Sequence, residues 1–412
     1  MREGRRRQGD DHAAAEVRRR HRPLRLVRPE ELSLSVRSDL RDILGAALRA
    51  CHPGDLLVRA LDSHPVLDSS SIPLNVVAAG KAAAAMTGAF MSRYRSRVGE
   101  VVLSRGGHPL PDAESFRAGA EALRAADANR ARGETLVVLL SGGASAMLAA
   151  PAPGVTMDEK IATTRELLRS GLPIAEINAV RKRLSAIKGG KLAARAGRSI
   201  TFALSDVHAP VEDDPSVIGS GPTVADPPLP DAQFVLAGSR RDAMDGARQQ
   251  AARLGYDVVV IDRPVLGEAR DAAAALASRI SPLVRERPSR LCVIASGETT
   301  VKLEPAASGA GGRNQEFALA FARAFDGGAY AFGSFGTDGV DGPTDAAGAI
   351  VDHRTLARAS EKGLDAARAL QAHDSYRFFE ALDDLVRTGP TGTNVGDLQI
   401  FLTSGSSLSL RP

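Results

Sequence analysis

The chain has 412 residues, 43% hydrophobic and 25% charged, with no tryptophan and only 4% aromatics. Such a length and mixture describe a globular protein with ample core, divided into two or three domains. The scarcity of aromatic stacking surface argues against single-stranded nucleic-acid binding, and no apolar run approaches the ~18 residues of a membrane span.

The formal charge of +4 is not spread evenly. The first thirty residues hold about ten arginines, including Arg5-Arg6-Arg7 and Arg18-Arg19-Arg20. Without them the chain is mildly acidic, so no nucleic-acid partner is expected. Residues 1–35 read as a disordered basic tail, since their composition buries too little apolar surface to order itself. Cys51 and Cys292 are far apart in apolar surroundings and have no metal or redox spacing. A cytoplasmic protein acting on a small molecule is the expectation, with a homodimer left open.

After the tail, "LRDILGAALRACHPGDLLVRAL" has helical spacing. A repeated grammar of short buried strands and helices then begins. "LNVVAAG" precedes the helix "KAAAAMTGAFMSRY", "VGEVVLSRGGHPLPD" precedes "ESFRAGAEALRAAD", and "ETLVVLLSGG" is a third buried strand. In "TMDEKIATTRELLRSG" a threonine is followed three residues later by Glu159, the pattern of a capping box. "SITFALSDV" ends in a carboxylate, and "DVVVIDR" leads to the helix "GEARDAAAALASRI". Strands apolar on both faces and alternating with helices belong to a parallel sheet covered on both sides. The polar, proline-bearing "SPLVRERPSR" marks a boundary. It divides a larger Rossmann-like domain, residues 36–285, from a smaller α/β domain, residues 286–408. The smaller unit contains "LCVIASGETTV", "GRNQEFALAFARAF", "AYAFGSFGTDG" and "LQIFL".

Open α/β sheets bind ligands at the carboxyl ends of their strands. The residues there are Gly80-Lys81, Gly106-Gly107-His108, Ser141-Gly142-Gly143, Asp206, Ser296-Gly297-Glu298 and Gly336-Thr337-Asp338. Glycines let backbone N–H groups approach phosphate oxygens, lysine supplies a mobile charge, and carboxylates hold a hard cation such as Mg²⁺. The set suits a phosphorylated ligand. The stretch "GTDGVDGPTDAAGAIVD" adds Asp338, Asp341, Asp345 and Asp352 among small residues, charges that repel unless solvated or shared by a cation. Walker-A, dinucleotide, protein-kinase and nucleophile-elbow signatures are all missing.

The blocks "AAGKAAAAM", "GGHPLPD", "LLSGGASAML", "INAVRKRLSAIKGGKLA", "SGETTV", "GGRNQEFALA", "GTDGVDGPTDAAGAIVD" and "GPTGTNVGDLQIFL" together resemble the MOFRL-type glycerate 2-kinase family, in order, from about residue 37 to 403. The resemblance implies ATP-dependent phosphorylation of D-glycerate to 2-phosphoglycerate, with Mg²⁺. It implies an active site in the cleft between the two domains, with catalytic roles for Lys81, Arg313 and Asp206. Gly80, Ser296, Gly297, Glu298, Asn314, Thr337, Asp338 and Gly339 are the nucleotide candidates. Ser141, Gly142, Gly143, Arg181 and Lys182 are the substrate candidates, and Asp206, Asp338 and Asp341 the metal candidates. The sequence departs from the family pattern at Ala144, at Gly396 and in the length of "SDVHAPVEDDPS". Two rival readings are an NAD(P)H-dependent hydroxypyruvate reductase and a nucleotide-binding module without turnover. Deleting residues 2–30 is expected to leave melting temperature and turnover nearly unchanged; a large loss of either shows that the tail packs on the fold.

Overall fold

The computed structural model describes residues 29–405 except 173, 288 and 304–308; for residues 29–34, 168, 174 and 175 it describes the backbone alone. The first sheet has five strands: β1 (Leu74–Ala79), β2 (Val98–Leu103), β3 (Thr135–Leu140), β4 (Ser199–Leu204) and β5 (Ala232–Gly238). They lie in the order β2-β1-β3-β4-β5, and every pairing is parallel. Every residue of β1, β3 and β4 is buried, which explains their unbroken apolar runs. The expected capping box forms: Thr156 Oγ1 accepts from Glu159 N at 3.2 Å, and Glu159 accepts from Thr156 N at 2.7 Å.

The second sheet is mixed. It contains β6 (Asp257–Val260), β7 (Val265–Glu268), β8 (Leu291–Thr300), β9 (Tyr330–Gly336), β10 (Gly348–Asp352), β11 (Leu385–Val386) and β12 (Asp397–Thr403). The main order is β11-β10-β9-β12-β8-β6, with β7 also on β8. Strand β12 runs antiparallel to both neighbours, while β6 and β7 run parallel to β8. Strands β6 and β7 lie before residue 286, so the expected boundary at 285/286 cuts through one sheet. The helix Ala269–Glu286 also packs on this side, against the helix Arg313–Ala324. The stretch that suggested a boundary begins as the end of the helix Ala269–Glu286, with Pro282 inside it, and leads on to β8; a connection within one sheet carries the same polar residues as one between domains. The basic tail also ends earlier than residue 35, because a helix spans Pro29–Ala50; the remainder of the tail lies outside the described residues.

Alternate residues of the second sheet face opposite layers. Cys292, Ile294, Ile400 and Leu402 belong to a core shared with the helices Pro29–Ala50 and Arg240–Arg253 and with Val76, Leu139 and Phe202 of the first sheet. Leu291, Val293 and Phe401 face the helices Ala269–Glu286 and Arg313–Ala324. Two sheets therefore enclose one helical layer and carry helices on their outer faces. Both cysteines are buried and free, as expected. Among the described residues no helix is long and apolar enough to cross a membrane.

Arg37 ties the first helix to the far sheet. Its guanidinium binds Asp352 at 2.7 Å and also Asp384, all three groups being buried. Burial alone would lower the affinity of Arg37 for its proton, and the two carboxylates more than reverse that effect. Arg37→Ala leaves buried carboxylate charge without this cation. It is expected to reduce unfolding free energy by roughly 3 kcal/mol or more. The midpoint of urea denaturation measures this.

Candidate active site

The first cation is positioned by a glycine. Gly80 follows β1 with φ of 113°, and a Cβ there would lie 2.3 Å from Ser141 Oγ and 2.5 Å from the Ser141 carbonyl oxygen. Only glycine lets the turns after β1 and β3 touch. Lys81 N donates to Gly142 O at 2.9 Å, and Ala82 N donates to Ser141 Oγ at 2.9 Å. Held there, Lys81 extends its ammonium to Asp338 Oδ2 at 2.6 Å. Asp338 follows β9, so this ion pair joins the ends of the two sheets.

The second cation opens the helix Arg313–Ala324. Asp341 fixes that helix end by accepting from Asn314 N at 3.0 Å and Gln315 N at 2.8 Å. A Cβ on Gly312 would strike the Asp341 carboxyl at 2.2 Å. Asp341 is 1% exposed, and burial pushes its carboxyl up to about 7 despite those two bonds. Both its oxygens serve the helix end, so this expected metal ligand instead shapes the segment that presents Arg313. Arg313 makes a two-pronged contact with Asp397, at 2.7 and 2.9 Å, and reaches Glu298 at 3.0 Å. Burial lowers its proton affinity, but Asp397 and Glu298 raise it further, so it stays charged.

Between the cations lies Asp206, just beyond β4. It lines a cavity of about 560 Å³ together with Gly142, Gly143, Arg181, His208 and Glu298. Asn394 Nδ2 donates to Asp206 Oδ2 at 2.9 Å, and a Cβ on Gly142 would lie 2.1 Å from that oxygen. Burial raises the Asp206 carboxyl, while Lys81 and Arg313 pull it back. Glu298 is likewise pushed up, to about 7, by the protein packed around it, with Arg313 opposing and Asp397 and Asp206 reinforcing, but its side chain keeps 43% of its surface open to water, which screens the effect. His208 is 8% exposed, has no hydrogen-bond partner on either ring nitrogen among the described residues and is lowered to about 4, chiefly by burial. It is therefore neutral near pH 7.

The remaining expected residues separate into two groups. Gly142, Gly143, Arg181 and Glu298 face the cavity. Ser296 Oγ is spent on Asp397 O at 2.6 Å, Thr337 Oγ1 on Gly396 O at 2.6 Å, and Asn314 Oδ1 accepts from Ser334 at 2.6 Å. Gly297 lies where a Cβ would meet Val265 O at 2.0 Å, and Gly339 where it would meet Gly389 O at 2.0 Å. Ser141 is wholly buried. Lys182 lines a separate basic cavity with Lys188 and Lys191, away from Asp206. Asp345 binds Tyr376 and Arg387 at the surface, and Asp352 binds Arg37. Among the described residues no three His, Cys, Asp or Glu side chains form a metal-holding group. Sequence reasoning missed Asp397, Asn394, Asn178 and His208. Asp397 opens an antiparallel strand and so reaches the same edge at which its neighbours end.

Two family profiles match the chain. One, described as a domain of unknown function (DUF4147), covers residues 39–247. The other, the MOFRL family, covers residues 291–397. A glycerate 2-kinase of Pyrococcus horikoshii is 32% identical across 89% of this chain and 98% of its own. An Agrobacterium vitis protein named provisionally as a hydroxypyruvate reductase is 39% identical across 79% of this chain and 98% of its own. The crystal structure of a glycerate kinase from Thermotoga maritima superposes with a TM-score of 0.78 at 31% identity, covering 89% of this chain and 99% of that one.

The raised Glu298 carboxyl has a consequence for stability. Its affinity for a proton is higher in the folded protein (about 7) than the ordinary 4.5. The associated stability is fully present below about pH 4.5 and is lost as pH rises through about 7. Because water reaches 43% of the Glu298 side chain and screens its charge, Glu298→Gln is expected to flatten only a small part of the fall in denaturation midpoint between pH 5 and pH 8. An unchanged slope contradicts the assignment.

Proposed function

Starting from its membership of the MOFRL family of glycerate 2-kinases, to which this chain belongs, we propose that it transfers a phosphoryl group from ATP to the 2-hydroxyl of D-glycerate. The observation that carries this reading is that Lys81, from the first sheet, meets Asp338 of the second, while Arg313 grips Glu298, which lines one cavity with Asp206. A transferring phosphoryl group is loosely bonded and heavily charged, so catalysis consists of positioning and electrostatic stabilisation. Lys81 and Arg313 supply two fixed positive charges in a partly desolvated wall. In this reading Lys81 exchanges Asp338 for a phosphate oxygen when nucleotide binds. Arg313 remains gripped by Asp397 and exchanges its second partner, Glu298, for the same group.

In this reading Asp206, which lines the cavity, accepts the proton of the acceptor hydroxyl. Its raised carboxyl is better matched to accepting a proton than an ordinary aspartate is. Asn394 holds one of its oxygens. The donor set also fits a magnesium ion. Asp206 and Glu298 offer hard oxygen atoms to one cavity, and Mg²⁺ binds through one or two carboxylates plus phosphates and water. Bound there, the ion would offset negative charge on the phosphates. Asp338 remains a further candidate, while Asp341 is committed to its helix. Ser296, Asn314 and Thr337 would act on nucleotide by shaping the wall, because their side chains are held internally.

Removing either cation is expected to lower turnover about 10³-fold with a much smaller effect on ATP binding. Arg313→Lys should restore little, because an ammonium cannot keep the two-pronged grip on Asp397. The assay is glycerate-dependent ADP release by wild type, Lys81→Ala and Arg313→Ala. Near-normal turnover in both variants removes the proposed centre. Hydroxypyruvate-dependent loss of NADH supports the reductase reading instead, and ATP binding without ADP release supports a non-catalytic module.

A further inference from the structure

One wall of the cavity carries polar groups that the phosphoryl chemistry leaves unused. Arg181 and Asn178 are three apart on the helix Ile174–Arg183 and so share a face. Both line the cavity. Arg181 makes no hydrogen bond or ion pair among the described residues, and burial is the one influence on its titration. Asn178 is 5% exposed, and its Oδ1 accepts from Ser220 Oγ at 3.1 Å. Its Nδ2 has no partner among the described residues.

Behind this wall runs a hydrogen-bond chain. It starts at Lys188, 1% exposed, whose ammonium donates to Ser145 O and Ser145 Oγ, each at 2.7 Å, and to Gly219 O at 3.5 Å. A protonated lysine can only donate. Ser145 Oγ, accepting from Lys188, therefore directs its own proton to Ser220 Oγ at 2.7 Å. Ser220 in turn gives its proton to Asn178 Oδ1. The direction of the chain thus sets the Asn178 amide: oxygen inward, both N–H bonds toward the cavity beside Arg181. Ser220 takes part from a left-handed backbone conformation, φ 63°, uncommon for a residue other than glycine.

We propose that Arg181 and the Asn178 amide form the carboxylate subsite for the acceptor, and that Lys188 is a positioning residue that orients this amide through Ser145 and Ser220. The proposal rests on the kinase reading for the identity of the acceptor, a small hydroxy acid. Its geometry rests on the side chains alone. An anion at this wall also answers an electrostatic need. Burial lowers the proton affinity of Lys160 and Lys188, and the charge of Arg181 lowers both further, with Lys160 adding to the effect on Lys188. A carboxylate beside Arg181 favours the charged form of all three and keeps Lys188 protonated, the state that turns the amide N–H bonds outward. Lys182, one residue on, faces the other basic cavity and takes no part.

The test uses the full chain with D-glycerate, glycerol and ATP. Asn178→Ala, Arg181→Ala and Lys188→Met are expected to weaken D-glycerate about 10- to 100-fold, as loss of a hydrogen bond to a charged group does. KM for ATP should stay nearly constant, and the preference for glycerate over glycerol should shrink. Asn178→Asp keeps the shape but turns a carboxylate oxygen to the cavity, so it should bind D-glycerate more weakly than Asn178→Ala does. That order keeps the proposal testable if Lys188→Met fails to fold. D-glycerate affinity like that of wild type in folded Asn178→Ala and Arg181→Ala overturns the subsite. A KM for ATP rising in step with that for glycerate overturns it too, since it marks a general structural loss. Calorimetric binding separates the two readings. Wild type that binds D-glycerate without releasing ADP sinks the kinase assignment and keeps the subsite. Wild type that turns over, with variants equally active at low glycerate, sinks the subsite and keeps the kinase.

Discussion

A single apolar core runs between the two sheets, and the cleft exists because of it. Val76, Leu139 and Phe202 of the first sheet and Ile294, Phe335 and Ile400 of the second belong to that core, joined through buried faces of intervening helices. Burying this surface fixes how the sheets stand to one another. Their polar ends then have no choice but to share one cavity. Lys81 meets Asp338, Asp206 meets Asn394, and the loop before β12 is pinned to the first helix by Thr393 donating to Cys51 O at 2.9 Å. None of these contacts forms within one sheet. The site is a property of the packed pair.

That packing also explains why so much charge survives in a desolvated place. Asp206, Glu298, Asp338 and Asp397 are interleaved with Lys81 and Arg313, so each carboxylate has a cation within reach. The compensation is incomplete at Glu298 and Asp206, whose carboxyl groups stay raised. Groups held away from their ordinary titration by burial and specific partners are the ones suited to proton transfer and ion binding. Arg181 and Asn178 line the same cavity, and Lys188 is bonded to Ser145 of that lining.

The strand-end rule made the first half of this site legible. Gly80-Lys81, Gly142-Gly143, Asp206 and Glu298 all follow apolar runs and do lie at the cavity or beside it. The rule assumes parallel strands, and β12 breaks it, which is why Asp397 and Asn394 were invisible. Asn394 precedes the strand and Asp397 opens it, in a place where a parallel sheet has only connecting loops. Sheet membership of β6 and β7 was equally hidden, because a strand's own residues record burial and not the identity of its partner. Acidic residues misled in another way. The spacing of Asp338 and Asp341 looks like shared metal binding, yet one faces Lys81 across the cleft and the other caps a helix. Lys188 reads as a surface lysine in "RLSAIKGGKLA" and becomes the most buried lysine only after the loop at Gly219 folds over it.

Phosphorus NMR of the reaction of the full-length protein with D-glycerate, ATP and Mg²⁺ tests the account most directly, because it reads both the activity and the hydroxyl chosen. Phosphate on the 2-hydroxyl couples to one carbon-bound proton and appears as a doublet growing with ADP, the result expected if Asp206 receives the proton of that hydroxyl while Arg181 holds the carboxylate. A triplet from the terminal hydroxyl, or ATP resonances that persist beside unchanged glycerate, would contradict it.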